Sequence, residues 1–233
     1  MSTPERQASP ASPDVARTAK VVSCPACGAS ITLRALGKSV MASCESCHTQ
    51  LDVSRPEIQI IQRYDRQFAE LRIPLGARGT LRGELFEVIG GMQRRVDDYS
   101  WEEYLLFNPY IGFRWLVHDD GYWRFGTMLR ETPFINELGE VQYQGETYTR
   151  SESSSPVVDW VLGEFYWRVA AGDTVDSTDY AGPSANLSLE KAAGEITWTR
   201  LESVRAAEID DAFSSPKPIG GAVTFDAPRA RRM

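Results

Sequence analysis

Cys24-Pro25-Ala26-Cys27-Gly28 and Cys44-Glu45-Ser46-Cys47 contain all four cysteines of the chain, and sixteen residues separate the two pairs. Two cysteines three positions apart can turn their thiolates inward from one tight loop, and a second pair completes a tetrahedral ligand set, the usual arrangement for zinc. Because four protein ligands leave no open position for water, the metal is expected to be structural. The sequence therefore predicts a zinc ribbon over residues 21–55, with Zn²⁺ bound by Cys24, Cys27, Cys44 and Cys47.

The segment between the two cysteine pairs has the features of a small hairpin. Polar and apolar residues alternate on either side of Gly37-Lys38, with apolar side chains at Ile31, Leu33, Val40 and Ala42. Alternation around a glycine-containing turn is typical of two paired strands. Gly28 supplies the positive φ angle that a loop after a cysteine pair commonly needs. We therefore expect residues 31–42 to form the hairpin of the ribbon.

Disulfide bonds, a redox pair and an iron–sulfur cluster are the alternatives for these cysteines. Disulfides suit an exported chain, but residues 1–20 contain no apolar stretch typical of a signal peptide. A redox Cys-x-x-Cys normally opens a helix after a strand and needs no second pair. An iron–sulfur cluster also takes four thiolates, so the spacing favours zinc without excluding the cluster. His48 is an alternative ligand, although a surface position is favoured for a residue directly after Cys47.

The composition predicts a soluble, cytoplasmic protein that is not a general nucleic-acid binder. The chain has 233 residues, 42% of them hydrophobic, and no apolar run near the roughly 20 residues that cross a bilayer. Its net charge is −7, and residues 57–233 hold nineteen Lys or Arg against twenty-eight Asp or Glu. Affinity for nucleic acid relies on clustered cations. The ribbon and the residues just after it offer only Arg34, Lys38 and Arg55.

The chain after the ribbon predicts β-structure. From Leu75 onward, aromatic and β-branched residues recur between turn signals about ten residues apart, which is typical of antiparallel hairpins. Asp119-Asp120-Gly121 is a hairpin turn before Tyr122-Trp123. Candidate strands cover residues 81–90, 101–107 and 113–117. The expected fold class is mainly β: a zinc ribbon followed by a duplicated antiparallel barrel or sandwich over residues 75–213, with little helix.

The remaining segments have weaker patterns. Residues 1–20 are rich in serine, proline and alanine, and we expect a disordered leader there, as well as a disordered proline- and glycine-rich tail over 214–233. Residues 56–74 form a linker or a first strand. One helix is predicted over residues 203–213, because its apolar side chains fall partly on one stripe.

Three sequence matches in the same order suggest that the β domain is duplicated. Gly83-Glu84-Leu85-Phe86 is similar to Gly145-Glu146-Thr147-Tyr148, residues 102–105 to 163–167, and the segment Leu116–Trp123 to Leu189–Trp198. The two units would cover about residues 75–135 and 140–205. The spacing drifts, with 39 residues from Glu84 to Trp123 and 52 from Glu146 to Trp198. Chance similarity between aromatic-rich strands is therefore the alternative.

The ordered tryptophan-containing segments carry a family resemblance. Residues 83–90, 101–107, 112–116, 163–167, 187–190 and 195–198 resemble the bacterial family called domain of unknown function 4178. The resemblance covers about residues 70–205, and a four-cysteine ribbon is a common companion in that family. It implies no activity, because the family has no established one. Longer members continue into hydrophobic membrane segments and their genes tend to lie near membrane or envelope-stress functions. This sequence ends at Met233, so we expect any membrane role to come through a partner.

No group of residues clearly predicts catalysis. His118-Asp119-Asp120 could combine a base with carboxylates, but a hairpin turn explains it better, because neighbouring strand residues face opposite sides. Glu102, Glu103 and Glu164 could meet across a pseudo-twofold axis and bind a cation or act as acid and base. Solvent-exposed strand faces are the simpler explanation for them. The phosphate-binding and nucleophile motifs Gly-x-x-x-x-Gly-Lys and Gly-x-Ser-x-Gly do not occur.

Aromatic residues offer a further kind of binding surface, because exposed rings can stack on ligands or partners. The tryptophans in apolar strands are predicted core residues, namely Trp115, Trp123, Trp167 and Trp198. The candidates for exposed rings lie near loops, namely Tyr99, Trp101 and Tyr110.

These patterns favour a non-enzymatic binding or adaptor protein that serves a protein partner in membrane-associated machinery. A nucleic-acid-binding ribbon and a carboxylate-dependent enzyme are the alternatives, and no catalytic residue is assigned. Because metal binding supplies the folding energy of a small ribbon, we expect the ribbon to unfold by itself when the metal is lost.

Overall fold

The computed structural model describes residues 20–63, 71–192 and 194–214. The predicted disordered leader and tail lie outside the described residues except for Lys20 and Ser214. Much of the predicted linker, residues 64–70, also lies outside them.

The described residues form seventeen strands and one helix, which confirms the mainly β class. The strands are β1 (Lys20–Ser23), β2 (Ser30–Leu33), β3 (Met41–Ser43), β4 (Gln50–Asp52), β5 (Gln59–Gln62), β6 (Arg78–Leu81), β7 (Glu84–Val96), β8 (Tyr99–Asn108), β9 (Gly112–Asp119), β10 (Tyr122–Met128), β11 (Phe134–Ile135), β12 (Val141–Tyr143), β13 (Glu146–Ser154), β14 (Val157–Phe165), β15 (Asp176–Ala181), β16 (Asn186–Ala192) and β17 (Glu195–Val204). The helix α1 (Ala206–Phe213) lies within the predicted helical segment.

Fifteen of these strands form one open antiparallel sheet. Their order is β11-β12-β13-β15-β16-β17-β10-β9-β8-β7-β14-β3-β4-β5, and β6 pairs with β7 outside this path. The strands β1 and β2 form a separate hairpin. Among the described residues no closed barrel forms, so the barrel alternative is wrong.

Two five-strand meanders meet near the middle of this sheet. The first runs through β6, β7, β8, β9 and β10. The second runs through β12, β13, β15, β16 and β17 and is interrupted in the chain after β13, where β14 leaves it to pair with β7. The strands β10 and β17 pair antiparallel and join them. This order is compatible with an internal repeat, which stays a prediction. One matched pair of segments does not occupy equivalent positions, because residues 102–105 lie within the first meander, whereas 163–167 overlap β14, outside the second.

Two-residue turns set the register of three hairpins. Arg82-Gly83, Asp120-Gly121 and Gln144-Gly145 each have positive φ angles at both positions, which is the geometry of a type I′ turn. This turn matches the right-handed twist of the strands that it joins. The turn predicted at Asp119-Asp120-Gly121 is therefore confirmed at its last two residues.

The predicted hairpin over residues 31–42 is wrong, because β2 and β3 do not pair with each other. The strand β2 pairs with β1, and β3 pairs with β4 and β14. Gly37 does lie in a turn, with φ 74°. The chain before this turn is held away from β3, because the backbone amides of Arg34 and Ala35 donate hydrogen bonds to the Glu164 carboxylate of β14.

Apolar residues are buried on both faces of the first meander. On one face, Phe86, Leu106 and Trp123 pack against Ile209 of α1. On the other face, buried residues of β7, β8 and β14 form a second cluster, and the second meander and the ribbon each have a cluster of their own. Three of the four predicted core tryptophans are buried and Trp167 is half-buried, whereas Tyr99 and Tyr110 are exposed and Trp101 is half-buried.

In the part of the chain that the structure describes, no helical segment has the length and hydropathy that a membrane crossing demands.

Candidate functional site

Each cysteine pair lies in the loop of one hairpin, and the two loops share the same backbone hydrogen bonds. In the first loop, the Gly28 amide donates to the Cys24 carbonyl oxygen at 2.8 Å. In the second, the His48 amide donates to the Cys44 carbonyl oxygen, also at 2.8 Å. A second bond closes each loop, from the cysteine amide to the carbonyl oxygen five residues later. The repeated Cys-x-x-Cys spacing thus gives two equivalent knuckles.

The four sulfur atoms form a compact set that fits a tetrahedral metal ion. They lie within 4.8 Å of one another. The Sγ atoms of Cys24 and Cys47 are 3.7 Å apart, as are those of Cys27 and Cys44. Four sulfurs at the usual Zn–S distance of about 2.3 Å would be about 3.8 Å apart at the corners of a tetrahedron. The cysteines are free thiols at these distances, so the disulfide alternative is wrong.

The surroundings of the thiols shift the pKa values of Cys44 and Cys47 in opposite directions. Cys44 is fully buried, and burial raises its pKa to about 12. Burial opposes the ionisation of Cys47 as well, but hydrogen bonds with the side chain and backbone of Thr49 lower the pKa of this thiol to about 6. Because thiolates are the ligands, metal binding displaces protons from the cysteines that are still protonated. Binding is therefore coupled to the loss of these protons.

His48 has a conformational role in the second knuckle. It does not belong to the group of four side chains that could hold a metal. Its φ angle is 57°, and it occupies the place that Gly28, with φ 78°, takes in the first knuckle. Left-handed backbone is disfavoured for residues with a Cβ atom and most of all for β-branched ones. The positive φ angle at this position therefore explains why the loop has no β-branched residue here, without a metal-ligand role for His48.

Replacing His48 by valine is expected to destabilise the ribbon by about 1–2 kcal/mol, because valine adopts positive φ poorly. His48→Gly should be neutral or slightly stabilising. The measurement is the urea midpoint for metal release, followed with a chromogenic chelator. Ser46→Val, at an exposed position of the same loop without positive φ, is the matched control. Equal midpoints for the two valine variants would contradict the conformational role.

Glu164 joins the ribbon to the β domain. It lies on β14 and is 1% exposed. Its Oε1 atom accepts a hydrogen bond from the Arg34 amide at 2.5 Å. Its Oε2 atom accepts from the Ala35 amide at 3.1 Å and from the Ser39 hydroxyl at 2.6 Å. Burial raises the pKa of Glu164, and these three donors counter that effect by stabilising the ionised carboxylate.

Backbone contacts strengthen the same junction. The strands β3 and β14 pair, and the Val40 amide donates to the Phe165 carbonyl oxygen at 2.9 Å. The Gly163 amide donates to the Ser43 hydroxyl at 2.6 Å. Gly163 has φ 84°, and a Cβ atom there would lie 2.3 Å from the Ile89 carbonyl oxygen. The division into a ribbon over 21–55 and a domain over 75–213 stays a prediction, since one sheet runs through both.

The three glutamates considered for catalysis do not form one site. Glu102 accepts a hydrogen bond from the Tyr104 hydroxyl at 2.5 Å and lies 3.9 Å from His118. Glu103 faces the other side of β8 and accepts from the Trp101 indole at 2.7 Å. Glu164 binds the ribbon instead. A shared carboxylate site of these residues is therefore excluded.

His118 and Asp119 are also separated by the sheet. The His118 ring lies 4.3 Å from the Trp123 ring, measured between centroids. Asp119 faces the other side, where it accepts from the Tyr99 hydroxyl and lies 3.3 Å from Arg124. These two residues therefore do not combine as a base and its carboxylate.

The fold and the site define a class of protein, an open antiparallel β domain fused to a four-cysteine ribbon that can hold a metal ion. The profile of a domain of unknown function (DUF4178) matches residues 74–206, more than half of the chain. The chain belongs to this family, and the resemblance seen in its sequence is confirmed. No curated protein and no solved structure gives a match.

Proposed function

We propose that the protein is a non-enzymatic adaptor, in which a structural zinc ribbon extends the sheet and the opposite sheet edge binds a protein partner. Zinc is favoured as the metal because the four thiolates and their 3.7 Å spacing suit it. The observation that carries the adaptor role is an exposed apolar hairpin at the end of the sheet.

This hairpin consists of β11, β12 and the turn between them. Among the described residues, β11 is the last strand at its end of the sheet. Phe134 is 67% exposed, Ile135 44% and Leu138 84%. The Asn136 side chain holds the turn, because its Oδ1 atom accepts from the amides of Leu138 and Glu140 at 3.0 and 2.9 Å. The strand β11 is only two residues long, so the exposed apolar side chains of the hairpin, rather than strand pairing, favour contact with another protein.

The partner that we propose belongs to membrane-associated or envelope-stress machinery. This choice rests on the family resemblance described above, in which longer relatives carry membrane segments. The adaptor would reach such a partner through the β11–β12 hairpin.

A nucleic-acid role for the ribbon is less favoured, because Arg34, the arginine between the two cysteine pairs, is already paired with carboxylates. The Arg34 side chain is 16% exposed and lies 3.3 Å from Glu87 and 3.6 Å from Glu45. An arginine that is held by two carboxylates contributes little to phosphate binding. Lys38 and Arg55 are exposed but stand alone in a chain of net charge −7.

The adaptor role predicts that a partner is lost when the apolar tip is made polar. Tagged protein is purified from its native host in mild detergent after nuclease treatment, and co-eluting proteins are quantified by mass spectrometry. We expect Phe134→Ser combined with Leu138→Ser to reduce one specific co-eluting protein about tenfold or more, because buried aromatic and aliphatic anchors dominate interface energies.

The matched control is Ile196→Ser, since Ile196 is 63% exposed on β17, away from this hairpin. An equal loss in this control, or retention of every co-eluting protein in the double variant, would contradict the proposal.

A further inference from the structure

The sheet curves back on itself, and adjoining cavities that are partly open to solvent lie along its inner face. Five strand pairings separate β7 from β16 in the sheet, yet Arg94 of β7 forms an ion pair with Glu190 of β16. Three cavities lie along this inner face, and Glu190 lines all of them. We call them together the inner cavity. The largest has a volume of about 530 Å³, which is within the usual range of small-molecule sites.

A buried arginine, Arg94, lines two of the three cavities. Arg94 is 5% exposed, and Glu103 and Glu190 flank it. Burial disfavours its charge, but the two carboxylates raise its pKa. Its Nε atom lies 3.5 Å from Glu103 and has no hydrogen-bond partner within the described residues. One guanidinium therefore pairs with two carboxylates. Its Nε donor has no acceptor among the described residues, and its single positive charge balances only one of the two negative charges.

Negative charge exceeds positive charge around the inner cavity. The carboxylates that line it are Glu103, Asp119, Glu152, Asp173, Asp179, Glu190 and Glu195, and the arginines are Arg94, Arg124 and Arg168. Arg124 lies against Asp119, and Arg168 is paired with Asp52 of the ribbon. Arg94, together with the longer-range charge of Arg124 on Asp179, is thus what the described lining offers to the remaining carboxylates.

Asp179 shows that this excess is not compensated. Its Oδ1 atom is buried without a hydrogen-bond partner in the described part of the chain. Burial raises the pKa of Asp179, and the charges of Glu152 and Glu190 raise it further, whereas a hydrogen bond from Ser188 and the charge of Arg124 oppose the rise only in part. Burial likewise raises the pKa of Glu103, although Arg94 opposes this. An additional cation in the inner cavity would therefore be stabilised.

Aromatic rings line the wall of the largest cavity beside Glu190. Trp115, Tyr166 and Trp167 all contribute to this wall. The ring centroids of Trp115 and Trp167 are 5.6 Å apart with planes at 66°, and those of Tyr166 and Trp167 are 4.5 Å apart with planes at 56°. Rings at such angles next to a carboxylate suit the alkyl groups of an ammonium ion, because the ring faces attract positive charge.

We infer that the inner cavity binds a small organic ammonium ion, whose charge lies near Glu190 and whose alkyl groups contact Trp115, Tyr166 and Trp167. This site is separate from the apolar hairpin proposed for the protein partner. A hydrated metal ion would gain little from the aromatic wall, and an anion would meet the excess of carboxylates.

The test compares choline with 3,3-dimethylbutan-1-ol, which has the same shape and no charge. Both are titrated into the full-length, metal-loaded protein, and binding is followed by tryptophan fluorescence and by isothermal titration calorimetry. We expect saturable binding of choline and binding of the alcohol that is weaker by about tenfold or more, the contribution of a partly desolvated cation–π contact. Equal binding of the two compounds, or no binding of choline, would overturn the inference.

Three variants locate the bound cation. Glu190→Gln is expected to weaken choline binding about tenfold or more, whereas Glu137→Gln, the same charge change in the turn between β11 and β12, should have no effect. Because Glu190→Gln also alters the Arg94 ion pair, Ala192→Arg is the second probe. Ala192 is exposed at the rim of the largest cavity, so an added cation there should repel choline and leave the fold intact. Choline affinity unchanged in both cavity variants would place the ligand elsewhere and refute the site.

Discussion

Cys44→Ser is expected to abolish metal binding and to unfold the ribbon. Cys44 is fully buried, and its sulfur lies 3.7 Å from that of Cys27. Metal binding supplies about 10–16 kcal/mol of folding free energy in small zinc modules, so the loss of one ligand removes much of the free energy that stabilises the ribbon, residues 21–55. The measurement is metal content by inductively coupled plasma mass spectrometry, with one zinc per chain expected in the parent and none in the variant. Ser46→Ala, at an exposed position of the same knuckle, should keep its zinc.

The same experiment distinguishes zinc from an iron–sulfur cluster. If the purified protein contains iron and sulfide and absorbs visible light, the site holds an iron–sulfur cluster in place of zinc. Full zinc occupancy in Cys44→Ser would show that this sulfur is not a ligand.

Metal loss is also expected to destabilise the β domain. From the sequence we expect a ribbon that unfolds by itself, but the structure leads to a different expectation, because β3 and β14 are paired and Glu164 would lose its three donors. Thermal unfolding monitored by tryptophan fluorescence should therefore show a lower midpoint in the metal-free protein. An unchanged midpoint would restore the sequence-based expectation of two independent units.

Glu164→Ala is expected to destabilise the folded chain by about 3–5 kcal/mol. The substitution leaves the amides of Arg34 and Ala35 without their acceptor and removes the shorter hydrogen bond of the Ser39 hydroxyl, which keeps its bond to the Ala35 carbonyl oxygen. Each unsatisfied buried group costs about 1–3 kcal/mol. The measurement is the urea unfolding midpoint of the metal-loaded protein, with hydrogen exchange to locate the protection that is lost. We expect that loss in the ribbon and in β14.

The control for this effect lies on the same strand. Asp159→Asn breaks a partly exposed ion pair with Arg95, whose side chain is 46% exposed, and such pairs contribute about 1 kcal/mol or less. A midpoint for Glu164→Ala no lower than that for Asp159→Asn would show that the Glu164 carboxylate does not hold the ribbon.

Local sequence patterns predicted the grouping of the four cysteines and the β class. The two knuckles form within five residues each, and a turn such as Asp120-Gly121 depends on its own φ angles. Features of this kind depend on residues that are neighbours in sequence, so a single sequence is sufficient to recognise them.

Long-range pairing could not be predicted in the same way. The alternation in residues 31–42 is real, but the partner of β3 in the β domain is β14, more than 100 residues later. Glu164 looked like a residue on a solvent-exposed strand, and only the docking of the ribbon buries it. Arg94 was missed because Arg94-Arg95 resembles an exposed pair, while the curvature of the sheet places Arg94 inside and leaves Arg95 half exposed.

The distance in sequence between Ser39 and Glu164, 125 residues, has a consequence for the order of events on the ribosome. At about 5–20 residues per second, synthesis takes roughly 6–25 s to proceed from Ser39 to Glu164 of β14. All four cysteines precede residue 48, so their thiolates can bind metal during this interval. The metal would stabilise the fold of the nascent ribbon before β14, the strand that pairs with β3, has been synthesised. The metal would then determine when the ribbon folds as well as how stable it is afterwards.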